Sequence, residues 1–219
     1  MIKCICFDMD GVLLDSEVGA FEIMRKTLSR LNVELDIEEL LKYIGKTSAQ
    51  IANELVAKYN MGITGEQLRD KYRETGNFYA DSDDVVPMPG LVKFLEVLRM
   101  DGVKTAVVSS TSSKNVITAL NRMGIVKYFD AVICGDMVTN PKPDPEGYLK
   151  AAKLVDVLPN DCLVIEDSPH GISAGIAAGM TVVGFSGSEI QQDISRAAMK
   201  AASFDELLCM YKNGSLMPH

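Results

Sequence analysis

The apolar residues of this chain follow two rhythms. Ile2, Cys4, Ile5, Cys6 and Phe7 make a nearly continuous run, the pattern of a strand buried on both faces, which stops at Asp8-Met9-Asp10-Gly11. The period then lengthens. Phe21, Met24, Leu28 and Leu31 recur at helical spacing behind Ser16, which is suited to cap a helix, and Asp36 is suited to open another through Ile37, Leu40, Leu41 and Ile44. A polar loop over Gly45-Lys46-Thr47-Ser48 precedes a helix carrying Ile51, Leu55 and Val56. Thr64-Gly65-Glu66-Gln67 is a capping box for one more, running through Leu68 and Tyr72. Between Asp15 and Val85 no strand-like run occurs. One strand followed by a block of helices predicts an inserted helical domain over 16–85, leaving 1–15 and 86–219 as the other domain. Asp81-Ser82-Asp83-Asp84 reads as a solvated linker rather than a metal site.

From Pro87 onward strands and helices alternate. Leu91, Phe94, Leu95 and Leu98 share a helix face, and Thr105-Ala106-Val107-Val108 is a strand running into Ser109-Ser110-Thr111. Val116, Ala119, Leu120 and Met123 give a helix, and Ala131-Val132-Ile133-Cys134 gives a strand. Asn140-Pro141-Lys142-Pro143-Asp144-Pro145 is a rigid loop with Asp144 as cap and Pro145 opening the next helix. The strand Cys162-Leu163-Val164-Ile165 ends in Glu166-Asp167, and Ser168-Pro169 starts a helix in which Gly171, Gly175 and Gly179 leave a smooth face to lie against a sheet. Thr181 to Phe185 is a further strand, and Ser203-Phe204-Asp205-Glu206 is a capping box for the last helix. Such alternation predicts an α/β fold with a doubly wound parallel sheet and right-handed crossovers.

Ligands of such sheets bind beyond the carboxyl ends of the strands. Every candidate chemical residue falls there: Asp8 and Asp10, Ser109 and Ser110, Lys142, and Glu166 with Asp167. Taken singly these are ordinary turn formers, loop residues and helix caps; their convergence on one edge makes them a site. Acids emerging from a buried strand need compensating charge, and Gly11 lets the backbone turn just behind them.

Composition narrows the chemistry. A net charge of −8 over 219 residues, with no basic stripe, excludes nucleic-acid backbone binding, while a phosphorylated small molecule stays compatible if cations are focused at one point. The five cysteines show no CxxC spacing and read as buried hydrophobes of a reducing compartment. With no leader-like N-terminus and no segment long enough to span a bilayer, the expectation is a cytoplasmic protein, a monomer without membrane partners.

Carboxylates without a nearby histidine describe a hard-oxygen site suited to Mg²⁺, and a lysine beside a hydroxyl suits the peripheral oxygens of a phosphoryl group. A phosphate dianion near Asp8 would meet repulsion of roughly 4 kcal/mol per charge pair at about 4 Å with an effective dielectric near 20. Attack by Asp8 therefore requires the metal and Lys142. Asp10 is then placed to protonate the leaving oxygen and to activate water.

Asp8-Met9-Asp10-Gly11-Val12-Leu13-Leu14-Asp15-Ser16, with Ser109, Lys142-Pro143 and Glu166-Asp167-Ser168 each after a later strand, resembles the four motifs of the haloacid dehalogenase-like (HAD) hydrolases, in order and over essentially the whole chain. The helical insertion resembles the cap of the β-phosphoglucomutase-like phosphatase branch. The resemblance implies a Rossmann-like core and a Mg²⁺-dependent phosphoric monoester hydrolase. It further implies Asp8 as the phosphorylated nucleophile and Asp10 as general acid and base. Asp8, Asp10 through its backbone carbonyl, and Asp167 hold the metal with Glu166 beside it, and Ser109, Ser110 and Lys142 bind the phosphoryl group. Lys46 and Ser48 would bear on specificity. The mutase has a histidine where this chain has Ala20 and an arginine where it has Ser48, which favours hydrolysis of a small phosphorylated metabolite, a sugar phosphate, over mutase chemistry. A receiver-type phosphorylatable module is the reading from another class, disfavoured by the insertion and by the Asp-x-Asp.

Overall fold

A computed structural model of the chain describes residues 2–43 and 48–216. They form two compact units, Met1–Asp15 with Val85–His219, and Ser16–Asp84. Val85, grouped by sequence with the helical segment, belongs with the first unit, and its side chain is buried.

The first unit is built on a six-stranded sheet, all pairs parallel, in the order β3-β2-β1-β4-β5-β6. Its strands are β1 (Cys4–Phe7), β2 (Lys104–Val108), β3 (Ala131–Ile133), β4 (Cys162–Glu166), β5 (Thr181–Phe185) and β6 (Met199–Ala201). Chain order runs outward from β1 to β3, then returns to place β4 on the other side of β1, so the direction of winding reverses at β1 and β4. Ligand crevices of open α/β sheets form at that switch point.

Period-2 alternation decides what each face of the sheet meets. Cys4 and Cys6 of β1 share a buried face with Val108, Val164 and Val182, covered by Tyr148, Ala151 and Ala152 of α8 (Glu146–Leu154) and Ile172 and Ala174 of α9 (Pro169–Ala177). The aromatic cluster uses Phe7 instead, whose ring lies edge-on to Phe94 of α6 (Leu91–Met100) and near Phe204 of α10 (Phe204–Lys212). The remaining helix of this unit is α7 (Ser113–Arg122). Side chains of this size contribute roughly 1.5–3 kcal/mol each when fully buried, which is why β1, buried at every position, anchors the layer.

The close helix packing expected from the glycines of α9 holds for two of the three. A Cβ on Gly175 would lie 2.7 Å from Val182 Cγ2 and one on Gly171 1.5 Å from Glu166 Oε1, whereas Gly179 lies beyond the helix end at φ +74°. Strand β6 carries no apolar run, only a short edge segment with exposed Lys200, and the sequence pattern passed over it.

The second unit is helical: α1 (Glu17–Ser29), α2 (Ile37–Leu41), α3 (Ser48–Lys58), α4 (Gly65–Thr75) and α5 (Phe78–Asp81), with Leu28, Leu40, Leu55 and Leu68 fully buried. Both halves of the Thr64–Gln67 capping box form, and Asp36 caps α2 through Glu39 N. Ser16 stands at the N-cap of α1 without making the side-chain capping bond its identity suggested. Asp144 accepts from Glu146 N, but Pro145 occupies the N-cap of α8, one residue later than the cap-then-proline pattern implied. Among the described residues no helix is long and apolar enough to cross a membrane.

Candidate active site

The site forms where β1, β2 and β4 end. Asp8 follows β1 directly, and its N–H donates to Ile165 O of β4 at 3.0 Å, so the ladder itself sets the carboxylate beside the β4 end. Met9 to Leu14 then fold into a tight turn, with Leu13 N donating to Met9 O and Gly11 N to Leu14 O. Gly11 sits at φ +80°, and a Cβ there would lie 2.1 Å from Asp167 Oδ2. Only glycine allows both that backbone and the close approach of Asp167.

Lys142 joins three strand ends. Its ammonium donates to Asp8 Oδ1 at 2.5 Å, to Glu166 Oε1 at 2.7 Å and to Val108 O, just before Ser109, at 2.9 Å. Ser109 is buried, and its Oγ accepts from Thr111 N, while Thr111 Oγ1 donates to Asp10 Oδ2 at 2.8 Å. Asp8, Asp10, the Ser109 loop, Lys142, Glu166 and Asp167 are thus linked through one bonded network and the Gly11 turn. Ser110 is exposed in the same loop and Ser48 is exposed at the start of α3. Lys46 lies outside the described residues, as do Ile44 at the expected end of the second helix and Gly45 and Thr47 of the expected polar loop.

Glu166, expected beside a metal, is here bound by side-chain and backbone donors on both of its oxygens. Its Oε1 accepts from Lys142 and, at 3.2 Å, from Tyr148 OH, and its Oε2 accepts from Ser168 N and Ser168 Oγ. An ionised carboxylate has about four acceptor directions, and these four donors occupy them. In this arrangement Glu166 anchors the lysine.

The electrostatics are those of an anionic pocket. Asp8, Glu166 and Asp167 are 8%, 0% and 3% exposed, and the cation among them is Lys142. Burial is the main influence on Asp8, opposed by Lys142 and reinforced by Glu166 and Asp10, and the balance pushes its carboxyl up to about 8. Burial works against the charge of Lys142 as well, yet Asp8 and Glu166 outweigh it and hold the ammonium well above its usual range. Burial, then Glu166, push the Tyr148 phenol upward, so it stays protonated and donates.

Once ionised, three buried acids against one lysine carry an excess of negative charge that a hard divalent cation would offset, and such a cation would in turn favour the ionised form of Asp8. Asp8 and Asp167 offer oxygen donors only, and the space left by the missing Gly11 Cβ brings Asp167 against the Asp10–Gly11 turn. The donor chemistry fits Mg²⁺. Among the described residues no three acid, thiol or imidazole side chains already form a ligand cluster, so the fit rests on Asp8, Asp167 and backbone oxygen.

Thr111, Tyr148 and Gln192, which donates to Asp167 Oδ2 at 3.2 Å, escaped the sequence reading. Thr111 was within reach, as the third hydroxyl of the loop after β2. Tyr148 reads as an apolar helix position and Gln192 as part of a polar loop, so neither carries a local signal. His170 is exposed.

The sequence model described as haloacid dehalogenase-like hydrolase matches residues 5–185, and the chain belongs to that family. It is 32% identical over 182 residues to the bifunctional riboflavin kinase/FMN phosphatase of Arabidopsis thaliana, covering 83% of this chain but only 48% of that protein, so the chain spans about half of its length. It is 31% identical to fructose-1-phosphate phosphatase YqaB of Escherichia coli, over 82% of this chain and 94% of that one. The crystal structure of β-phosphoglucomutase from Clostridium difficile is similar at a TM-score of 0.79 and 27% identity, covering 98% of this chain and 96% of the other.

Proposed function

We propose that the chain is a phosphatase of small phosphate monoesters, sugar phosphates above all, working through an aspartyl-phosphate on Asp8. The observation that carries this reading is the Lys142 ammonium held between Asp8, Glu166 and the β2 end. A buried cation against a buried carboxylate supports the reading, because transfer of a phosphoryl group to that carboxylate needs both. Mg²⁺ held by Asp8, Asp167 and the Asp10 carbonyl would supply the further positive charge that a phosphate dianion requires.

In the first step an Asp8 carboxylate oxygen attacks phosphorus, and the bond to the ester oxygen breaks as Asp10 gives that oxygen its proton. In the second, Asp10 takes a proton from water as the water oxygen attacks the phosphoryl group, and the Asp8–phosphate bond breaks to return both carboxyl groups to their starting states. Thr111 orients Asp10 through its hydroxyl, while Lys142 and the Ser109 hydroxyl stabilise the peripheral oxygens. The helical unit is assigned the selection of substrate, the role implied by its likeness to the family's cap.

Released phosphate measured over a panel of sugar phosphates and FMN, with Mg²⁺ present, tests the reading. Hydrolysis of one or more sugar phosphates is expected, and a flat response across the panel would contradict it. The similarity to β-phosphoglucomutase favours mutase chemistry as the second reading. Conversion of glucose 1-phosphate into its isomer, with little phosphate released, would select it.

A further inference from the structure

We propose that Tyr148 is a positioning residue for Lys142, keeping the ammonium in place while its bond to Asp8 is exchanged for one to a phosphoryl oxygen. This rests on the phosphatase reading above. An ammonium has three hydrogens, and in this structure Asp8, Glu166 and Val108 O take all of them. A phosphoryl oxygen can be bound only if one is released. Val108 O is backbone within the sheet and cannot withdraw. Glu166 cannot withdraw either, because Ser168 holds Oε2 through N–H and hydroxyl and the Tyr148 hydroxyl holds Oε1. The exchange therefore falls on Asp8, the group that reacts.

Tyr148 contributes twice. It is fully buried on α8, its hydroxyl donates to Glu166 Oε1, and its ring centroid lies 5.1 Å from Lys142 Nζ, within cation–π range. Packing alone does not ask for the hydroxyl, since the same helix face is otherwise apolar, with Ala151 and Ala152. What the hydroxyl adds is a fixed carboxylate, and through it a fixed lysine.

Tyr148→Phe removes the hydroxyl and keeps the ring. Phosphate affinity is measured by calorimetry with inorganic phosphate and Mg²⁺, and kcat/KM with p-nitrophenyl phosphate, for wild type, Tyr148→Phe, Lys142→Ala and the double variant. Tyr148→Phe is expected to weaken phosphate binding and lower kcat/KM roughly tenfold, the scale of one hydrogen bond to a charged group. In the Lys142→Ala background the same change should weaken phosphate binding by no more than about twofold, since the two residues act as one unit. Phosphate affinity and kcat/KM unchanged in Tyr148→Phe, even with a lower melting temperature, would reduce Tyr148 to a packing residue and overturn the assignment. A full tenfold loss persisting without Lys142 would overturn it equally. Wild-type protein that neither binds phosphate nor turns over the ester would overturn the phosphatase reading itself, and this assignment with it.

Discussion

At the scale of single residues the site is a problem of charge placed where water is scarce. Lys142 balances one of three buried acids, and without it Asp8 and Glu166 would face each other uncompensated. Lys142→Ala should therefore weaken phosphate binding and slow the chemistry together, dropping kcat/KM by at least about a hundredfold, which steady-state kinetics will show. An unchanged kcat/KM would place Lys142 outside the site. Gly171 is a second sensitive point, because a Cβ there would lie 1.5 Å from Glu166 Oε1. Gly171→Ala should displace that carboxylate, costing about 1–3 kcal/mol in denaturant unfolding and lowering turnover as well. Asp8, Asp10, Lys142 and Asp167 were legible because strand-end acids and a lysine between prolines are unusual in sequence. Tyr148 and Gln192 were not, since their partners lie 18 and 25 residues away and nothing local marks them.

At the scale of elements, strong periodicity made the central strands and long helices readable, and tertiary context decided the rest. Strand β6 exists because β5 offers an open edge, with Gly184 in register with Lys200, a pairing no run of apolar residues announces. Caps divide in the same way. Thr64 and Gln67 complete a reciprocal box, so Thr64→Ala should cost about 1 kcal/mol of stability, read as a lower melting temperature with turnover chemistry otherwise intact. No change in melting temperature would mean that α4 is held by its packing alone. At the last helix the box is only half formed: Ser203 accepts from Glu206 N, while the Glu206 carboxylate turns to Ala202 N.

At the scale of the whole molecule, the division into an α/β unit and a helical unit was legible from the absence of strand-like runs between Asp15 and Val85, and the family from the order of its four motifs. The bonding around Glu166 was not, because sequence cannot say which of two adjacent acids a distant lysine will engage. The excess of buried acids predicts linkage to a divalent ion. Mg²⁺ at about a hundred times its dissociation constant should stabilise the fold by about 2.7 kcal/mol, raising the melting temperature several degrees, and Asp167→Asn should abolish that rise. A melting temperature indifferent to Mg²⁺ would remove the metal from the account. The central claim is that Asp8 takes the phosphoryl group, and the rate of p-nitrophenyl phosphate hydrolysis by folded Asp8→Asn protein with Mg²⁺ tests it most directly. A loss of at least about a thousandfold is predicted; a rate near that of the wild type would contradict it.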